Sequence, residues 1–279
     1  MPENKERIDI LLVEQGFYAT REKAKSAIMA GLVYIDQERL EKSGTKVSRS
    51  ANIHVKGALH PYVSRGGLKL EKALTTFGID LNGAIMIDIG ASTGGFTDCA
   101  LKNGAKMVYA VDVGYNQLDW SLRNHAFVKV MERTNFRYMQ LKDLDGAQPF
   151  FATIDVSFIS LRLILPPLKE ILAAGGQVVA LIKPQFEAGR EKVGKSGVIR
   201  DPKVHLEVLL TLLDFADGLG FALKGLTFSP ITGGGGNIEF LANWTLDRLE
   251  MPINKEQFIH LAEHVVREAS AVFLKVSIH

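Results

Sequence analysis

Residues 85–97 read Ile-Met-Ile-Asp-Ile-Gly-Ala-Ser-Thr-Gly-Gly-Phe-Thr, and residues 98–113 continue Asp-Cys-Ala-Leu-Lys-Asn-Gly-Ala-Lys-Met-Val-Tyr-Ala-Val-Asp-Val. The first five residues are a short apolar run with the length of a buried strand. A glycine-rich turn follows over Gly90–Gly95, then a helix to about Lys102 and a second apolar strand that ends at Asp112. This is a βαβ unit whose first turn lets a ligand approach the backbone closely. A carboxylate ending the second strand stands where two hydroxyls of a ribose can donate to it.

Three ligands compete for that turn. A dinucleotide fold needs G-x-G-x-x-G, and Gly90, Gly94 and Gly95 lack that spacing. Gly90-x-x-x-x-Gly95-Phe96-Thr97 mimics a P-loop, but Phe96 replaces the lysine that reaches the β/γ-phosphates. An S-adenosylmethionine site has no phosphate to neutralise and accepts a phenylalanine there, so it fits the residues best.

Outward from this unit, apolar runs at about Phe127–Met131, Phe151–Val156 and Gln177–Ile182 read as further strands. Asp201-Pro202 is a cap followed by a first-turn proline, opening a helix through Leu206, Leu209, Leu210 and Leu213 to Gly218. Leu223–Ser229 and Glu239–Trp244 are joined by a turn containing Gly233–Gly236, too short for anything but an antiparallel connection. The series predicts a Rossmann-like α/β sheet, mostly parallel with one antiparallel strand. Asp155, Lys183 and Glu239 sit at strand ends. Ligands in such sheets bind outside the carboxyl ends of the parallel strands, so Asp155 and Lys183 are expected near the glycine loop. The segment Phe186–Arg200, rich in Gly and Lys, is expected to lie outside the core.

Ahead of this lies a different module. Ile8, Leu11 and Leu12 give residues 6–15 a helical face, stopped by Gly16. Thr20 is a plausible cap for a second helix bearing Ala24, Ala27 and Ile28, closed by Gly31. Leu32–Ile35 and Asn52–Val55 read as short strands, making a small α+β module. Residues 1–66 hold 11 Lys+Arg against 8 Asp+Glu, whereas the rest holds 22 against 23. Arg7, Arg21, Lys23 and Lys25 flank the two helices, and long cations there suit phosphate contacts.

The whole chain has 279 residues and a formal net charge of +2. No run of about 18 uncharged apolar residues exists and the start is polar, so membrane spanning and export are not expected and a cytoplasmic location is. A single cysteine, Cys99, excludes a disulfide framework and a Cys-rich zinc site. It reads as a small packed residue. His260-x-x-Glu263-His264 matches an inverted zinc-protease pattern, but it lies on an amphipathic helix (Lys255–Phe273, capped by Asn254) with no third ligand nominated. No metal requirement is expected, and nothing in the sequence points to a protein partner.

Arg7-x-Asp9-x-x-Leu12, then Thr20-Arg21 with Ala24, Ile28, Gly31 and Val33, resembles the S-four-type RNA-binding domain. The large domain resembles the FtsJ-type RNA 2′-O-methyltransferases, whose hallmark is a Lys-Asp-Lys-Glu tetrad. Here Lys69, Asp155, Lys183 and Glu239 match it. The two domains together, with Val63-Ser64-Arg65-Gly66-Gly67 at the junction, resemble the TlyA family of hemolysin-A-like ribosomal RNA methyltransferases over almost the whole chain. Family members often carry Trp in the linker where this chain has His60-Pro61-Tyr62.

The resemblance implies an RNA-binding domain over 1–60, a linker over 61–66 and a methyltransferase domain over 67–279. It implies methyl transfer from S-adenosylmethionine to a ribose 2′-hydroxyl, of cytidine by the family's habit, in ribosomal RNA or ribosomal subunits. Lys183 is the expected general base, its proton affinity lowered by burial and by Lys69. Asp155 and Glu239 are expected to orient the lysines and the hydroxyl, and to oppose that lowering if they approach closely, so the sequence leaves the protonation state of Lys183 open. Asp88, Gly90, Ala91, Ser92, Thr93, Gly94, Gly95, Phe96 and Thr97 are expected around the cofactor's methionine end, with Asp112 at its ribose, Asn135 at its adenine and Asp155 alongside. Arg7, Arg21, Lys23, Lys25 and Arg65 are the expected RNA contacts. The competing class is a non-enzymatic cytolysin or RNA-binding protein. A pore former should show an inserting segment unexplained by a folded core, and none is evident.

Overall fold

The computed structural model describes residues 5–15, 17–18, 20–36, 38–49, 51–55, 60–194, 197–247 and 255–274. The chain divides into two units, Met1–Pro61 and Tyr62–His279.

In the first unit, strand β1 (Lys5–Arg7) leads directly into helix α1 (Ile8–Glu14), followed by α2 (Arg21–Met29), β2 (Val33–Ile35), β3 (Glu38–Arg39), β4 (Lys46–Ser48) and β5 (Ile53–Val55). β1 pairs antiparallel with β4, and β2 lies between β3 and β5. The expected helix start at residue 6 is therefore too early: Glu6 faces Val47 in a ladder, which withholds residues 5–7 from the helix. Gly16, the expected stop, lies outside the described residues. Thr20 caps α2, its hydroxyl accepting from the Lys23 amide at 3.3 Å. Gly31 closes α2 at φ +69°, a left-handed conformation that glycine adopts without strain. Ile8, Leu11, Leu12, Ala24, Ile28 and Val33 form the unit's core.

Asp9 is completely buried in this unit, and its carboxylate accepts from Arg7 Nε at 2.9 Å and Arg21 Nη2 at 2.9 Å. The Arg7 hydrogen bond, aided by Arg21, holds its pKa down at about 2.

The second unit is built on a seven-stranded sheet. Along the chain come α3 (Gly67–Phe77), β6 (Ile85–Ile89), α4 (Gly95–Lys102), β7 (Met107–Val111), α5 (Trp120–Arg123), β8 (Val128–Met131), β9 (Phe151–Ile154), α6 (Leu165–Ile171), β10 (Gln177–Ile182), α7 (Pro184–Glu187), α8 (Pro202–Gly218), β11 (Ala222–Phe228), β12 (Phe240–Thr245) and α9 (Lys255–Phe273). The strand order is β11-β12-β10-β9-β6-β7-β8, and β12 runs antiparallel to both of its neighbours. This is the expected mostly parallel sheet with one reversed strand.

Alternation along each strand feeds two cores. Ile87, Ile89, Val111, Ile154, Ala180 and Ile182 join α6, α8 and α9 on one face. Met86, Val108, Val179, Leu181 and Leu241 join α3 and α4 on the other. Strands covered on both sides have no polar face to show, which is why they read as unbroken apolar runs. Asp201 caps α8 as expected, accepting from the Lys203 amide at 2.9 Å, with Pro202 in the first turn. Asn254 lies outside the described residues.

Two expectations are corrected. Residues 62–66, read as linker, are packed into the second unit: Tyr62 is buried with its hydroxyl donating to Glu71 at 2.7 Å, and the Val63 amide donates to buried Asp98 at 2.8 Å. The segment 186–200 is not wholly outside the core either. Glu187, Val198 and Ile199 are buried, and Asn237 ties that stretch down by accepting from the Ile199 amide at 3.0 Å and donating to the Gly197 carbonyl at 3.0 Å.

Candidate active site

The parallel strands deliver their last residues to one edge of the sheet. β9 is followed at once by Asp155 and β10 by Lys183, while β7 is followed by Asp112. Because β12 is reversed, its beginning lies at that same edge, with Glu239 immediately before Phe240, which pairs with Ile182. Lys69 arrives from the first turn of α3. Four groups from four elements therefore meet; strand-end position alone gave that expectation for Asp155 and Lys183, and the family resemblance added Lys69 and Glu239.

They form a chain of alternating charge. Lys183 Nζ lies 2.6 Å from Asp155 Oδ1, Asp155 Oδ2 lies 3.6 Å from Lys69 Nζ, and Lys69 Nζ donates to Glu239 Oε2 at 2.7 Å. The Lys69, Lys183 and Glu239 side chains are 9%, 10% and 2% exposed, and Asp155 is 20% exposed. Charges so far from water persist only when paired, and here two cations meet two anions. Gly233 makes room for this: a Cβ there would lie 2.0 Å from Glu239 Oε1. The group lines a cavity of about 330 Å³ shared with Ser64, Arg65 and Ala91–Thr93, Gly95 and Phe96.

A second cavity of about 350 Å³ opens from the same strand ends, lined by Gly90, Ser92, Asp112, Gln117, Thr134, Asn135, Phe136 and Asp155. Gly90 sits at φ +85°, and a Cβ would fall 2.6 Å from the Asp155 carbonyl oxygen, so the close approach demands glycine. Asp112 Oδ2 accepts from the Ser92 amide at 2.8 Å and Oδ1 accepts from the Gly114 amide at 2.7 Å. Each oxygen retains acceptor capacity, which suits a vicinal diol. Among the described residues that line this cavity none is cationic.

Three expected cofactor residues are placed elsewhere. Asp88 is fully buried beneath the loop, its oxygens taken by the Thr97 hydroxyl at 2.7 Å and the Thr153 hydroxyl at 2.8 Å. Burial pushes its pKa up to about 6 despite those bonds. Thr97 is equally buried, and Gly94 faces Leu122. These three shape the loop and line neither cavity. For Asp88 this follows from strand alternation: it points to the α3/α4 side, as Met86 does, opposite to Ile87 and Ile89.

Of the expected RNA contacts, Arg65 is exposed at the rim of the charged cavity. Arg7 and Arg21 are half-exposed but committed to Asp9. Lys23 is exposed and Lys25 half-buried. Sequence reasoning missed Ser157, which accepts from Lys183 Nζ at 2.9 Å, and Phe158, 90% exposed at φ +63°. Ser157 lies two residues beyond Asp155, and that spacing was the available signal.

The decoys resolve as packing or surface. Burial pushes the Cys99 thiol up to about 12, far from a reactive thiolate. His260 and His264 are exposed on α9, and no group of three metal-ligating side chains occurs among the described residues.

A doubly wound sheet with a glycine loop after its first parallel strand, an acid after the next and a Lys-Asp-Lys-Glu cluster at its ligand edge defines a methyltransferase. The chain belongs to the FtsJ-like methyltransferase family, whose model matches residues 62–245, and an S4 domain model matches residues 6–53. It is 63% identical, over 86% of each chain, to a Bacillus subtilis protein described as a candidate rRNA methyltransferase, YqxC. It is 41% identical to the 16S/23S rRNA (cytidine-2′-O)-methyltransferase TlyA of Mycobacterium tuberculosis, over 84% of this chain and 87% of that one. A solved structure from Streptococcus thermophilus, described as a candidate hemolysin, is similar at 53% identity with a TM-score of 0.77, covering 98% of each chain.

Proposed function

We propose that this enzyme transfers a methyl group from S-adenosylmethionine to a ribose 2′-hydroxyl of ribosomal RNA, most closely a cytidine, with the S4 domain binding the RNA. The observation that carries the reading is the Lys183–Asp155–Lys69–Glu239 chain beside a cavity that ends in Asp112. The TlyA relative, 41% identical, is named for this reaction.

The second cavity would hold the cofactor: the Asp112 oxygens would accept from its ribose hydroxyls, Gly90 and Ser92 would border its methionine end, and Thr134 and Asn135 its adenine. When bound, S-adenosylmethionine supplies an electrophilic methyl on a sulfonium. The 2′-hydroxyl lies in the charged cavity between Lys183 and Lys69. Lys183, when its amine carries a lone pair, would take the proton of the 2′-hydroxyl and so leave its oxygen nucleophilic toward the methyl that the bound cofactor would supply. Asp155 then holds the resulting ammonium. Lys69, neutralised by Glu239, contributes a fixed donor toward the developing alkoxide. Arg65, at the rim, meets the RNA backbone.

Mapping 2′-O-methyl positions on ribosomal RNA from cells with and without the gene tests the reading. A position methylated only with the gene, and restored by purified enzyme and S-adenosylmethionine, is the expected result. Unchanged maps together with no labelled methyl transfer to either ribosomal subunit refute it.

A further inference from the structure

We infer that Ser157 is a positioning residue for the transfer step: with Asp155 it fixes the Lys183 amine so that one tetrahedral position is left for the substrate oxygen. The inference rests on the role of Lys183 proposed above.

A lysine nitrogen bonded to its Cε has three further tetrahedral positions. On Lys183 one meets Asp155 Oδ1 at 2.6 Å and a second meets the Ser157 hydroxyl at 2.9 Å. The third has no hydrogen-bond partner among the described residues, and the side chain borders the charged cavity. With two positions held, the direction of the third is determined, whether it carries a proton or a lone pair. Held by Asp155 alone, the amine could swing about that single contact on its flexible four-carbon stem. A proton acceptor acts only within a narrow range of distance and direction, so this freedom lowers the rate without lowering affinity.

The segment that carries Ser157 is itself fastened. Asp155 and Ser157 leave β9 two residues apart and reach the same amine. The backbone then enters the left-handed region at Phe158, φ +63°, uncommon for a residue with a side chain. Just beyond, the Ser160 hydroxyl and the Leu161 amide donate to the two oxygens of Glu187 at 2.6 and 2.7 Å. Glu187 is buried in α7, the short helix that Lys183 itself begins. The amine and both of its partners therefore stand on two segments latched to each other.

The test compares Ser157→Thr with Ser157→Val, a pair of equal size that differs by one hydroxyl. Full-length enzyme is assayed in single turnover with tritiated S-adenosylmethionine and purified ribosomal subunits, both saturating, and both affinities are measured in parallel. Ser157→Thr is expected within about threefold of wild type. Ser157→Val is expected about 10- to 100-fold slower with unchanged affinities, a smaller loss than removing a general base, about 10²–10⁴-fold. Equal rates for the two variants, or a loss confined to affinity, overturn the inference. If Ser157→Val does not fold, Ser157→Ala is judged against Ser157→Thr by the same criteria. Failure of the parent reading looks different: wild type transfers no methyl, or Lys183→Arg keeps the wild-type rate, and either result overturns both.

Discussion

Each oxygen of Asp112 already accepts one backbone N–H, so its remaining lone pairs are aimed before any ligand arrives. Asp112→Ala is expected to weaken S-adenosylmethionine binding by about 1.5–3 kcal/mol, the range for hydrogen bonds to a charged group, as read by calorimetry on the folded variant. Lys183 offers a sharper distinction. Lys183→Arg keeps the charge beside Asp155 but cannot lose a proton near neutral pH, while Lys183→Met loses both charge and base. Both are expected to abolish single-turnover transfer while retaining cofactor; a rate rescued by Arg assigns the lysine an electrostatic role only. Asp9 gives a pH signature instead. Its folded pKa, about 2, lies below its ordinary 3.8. The carboxylate therefore stabilises the first unit fully above pH about 4, and this contribution disappears as pH falls through about 2. The half-exposed arginines limit it to about 1–2 kcal/mol. Asp9→Asn should flatten the acid limb of that unit's unfolding curve, and an unchanged limb counts against the ion triad.

Helix α8 was legible end to end because its signals are local: a capping aspartate, a first-turn proline and an apolar stripe. Asp201→Ala is expected to cost about 1 kcal/mol, seen as a lower denaturant midpoint with unchanged slope. The sheet was equally legible, since strands buried on both faces must be apolar throughout. Three of the four tetrad residues announced themselves as charges abutting such strands; Lys69, on a helix, was found only through family resemblance. What stayed hidden depends on contacts distant in sequence. Residues 5–7 carry no strand signal of their own and are held by pairing with 46–48. Val198 and Ile199 stand amid Gly and Lys, and become core because Asn237, some forty residues on, anchors them. Asp88 was expected at the cofactor through the resemblance alone; strand alternation, applied strictly, turns it away.

At the scale of the molecule, the two units have separate cores, and residues 62–66 belong to the second. A chain beginning at Tyr62 should retain cofactor affinity and lose RNA affinity, and the lost portion should weaken with added salt in the intact enzyme. Equal RNA affinity for both chains refutes that division. The reversal of β12 has a consequence for the order of events during synthesis. Lys69 and its closest counter-charge, Glu239, are 170 residues apart, so the amine emerges from the ribosome long before the carboxylate that neutralises it. Until β12 docks, the sheet has an open edge at β10, and Lys69 and Lys183 share the one carboxylate of Asp155. The last strand to join therefore completes the hydrogen-bonded sheet and the charge balance in one docking event.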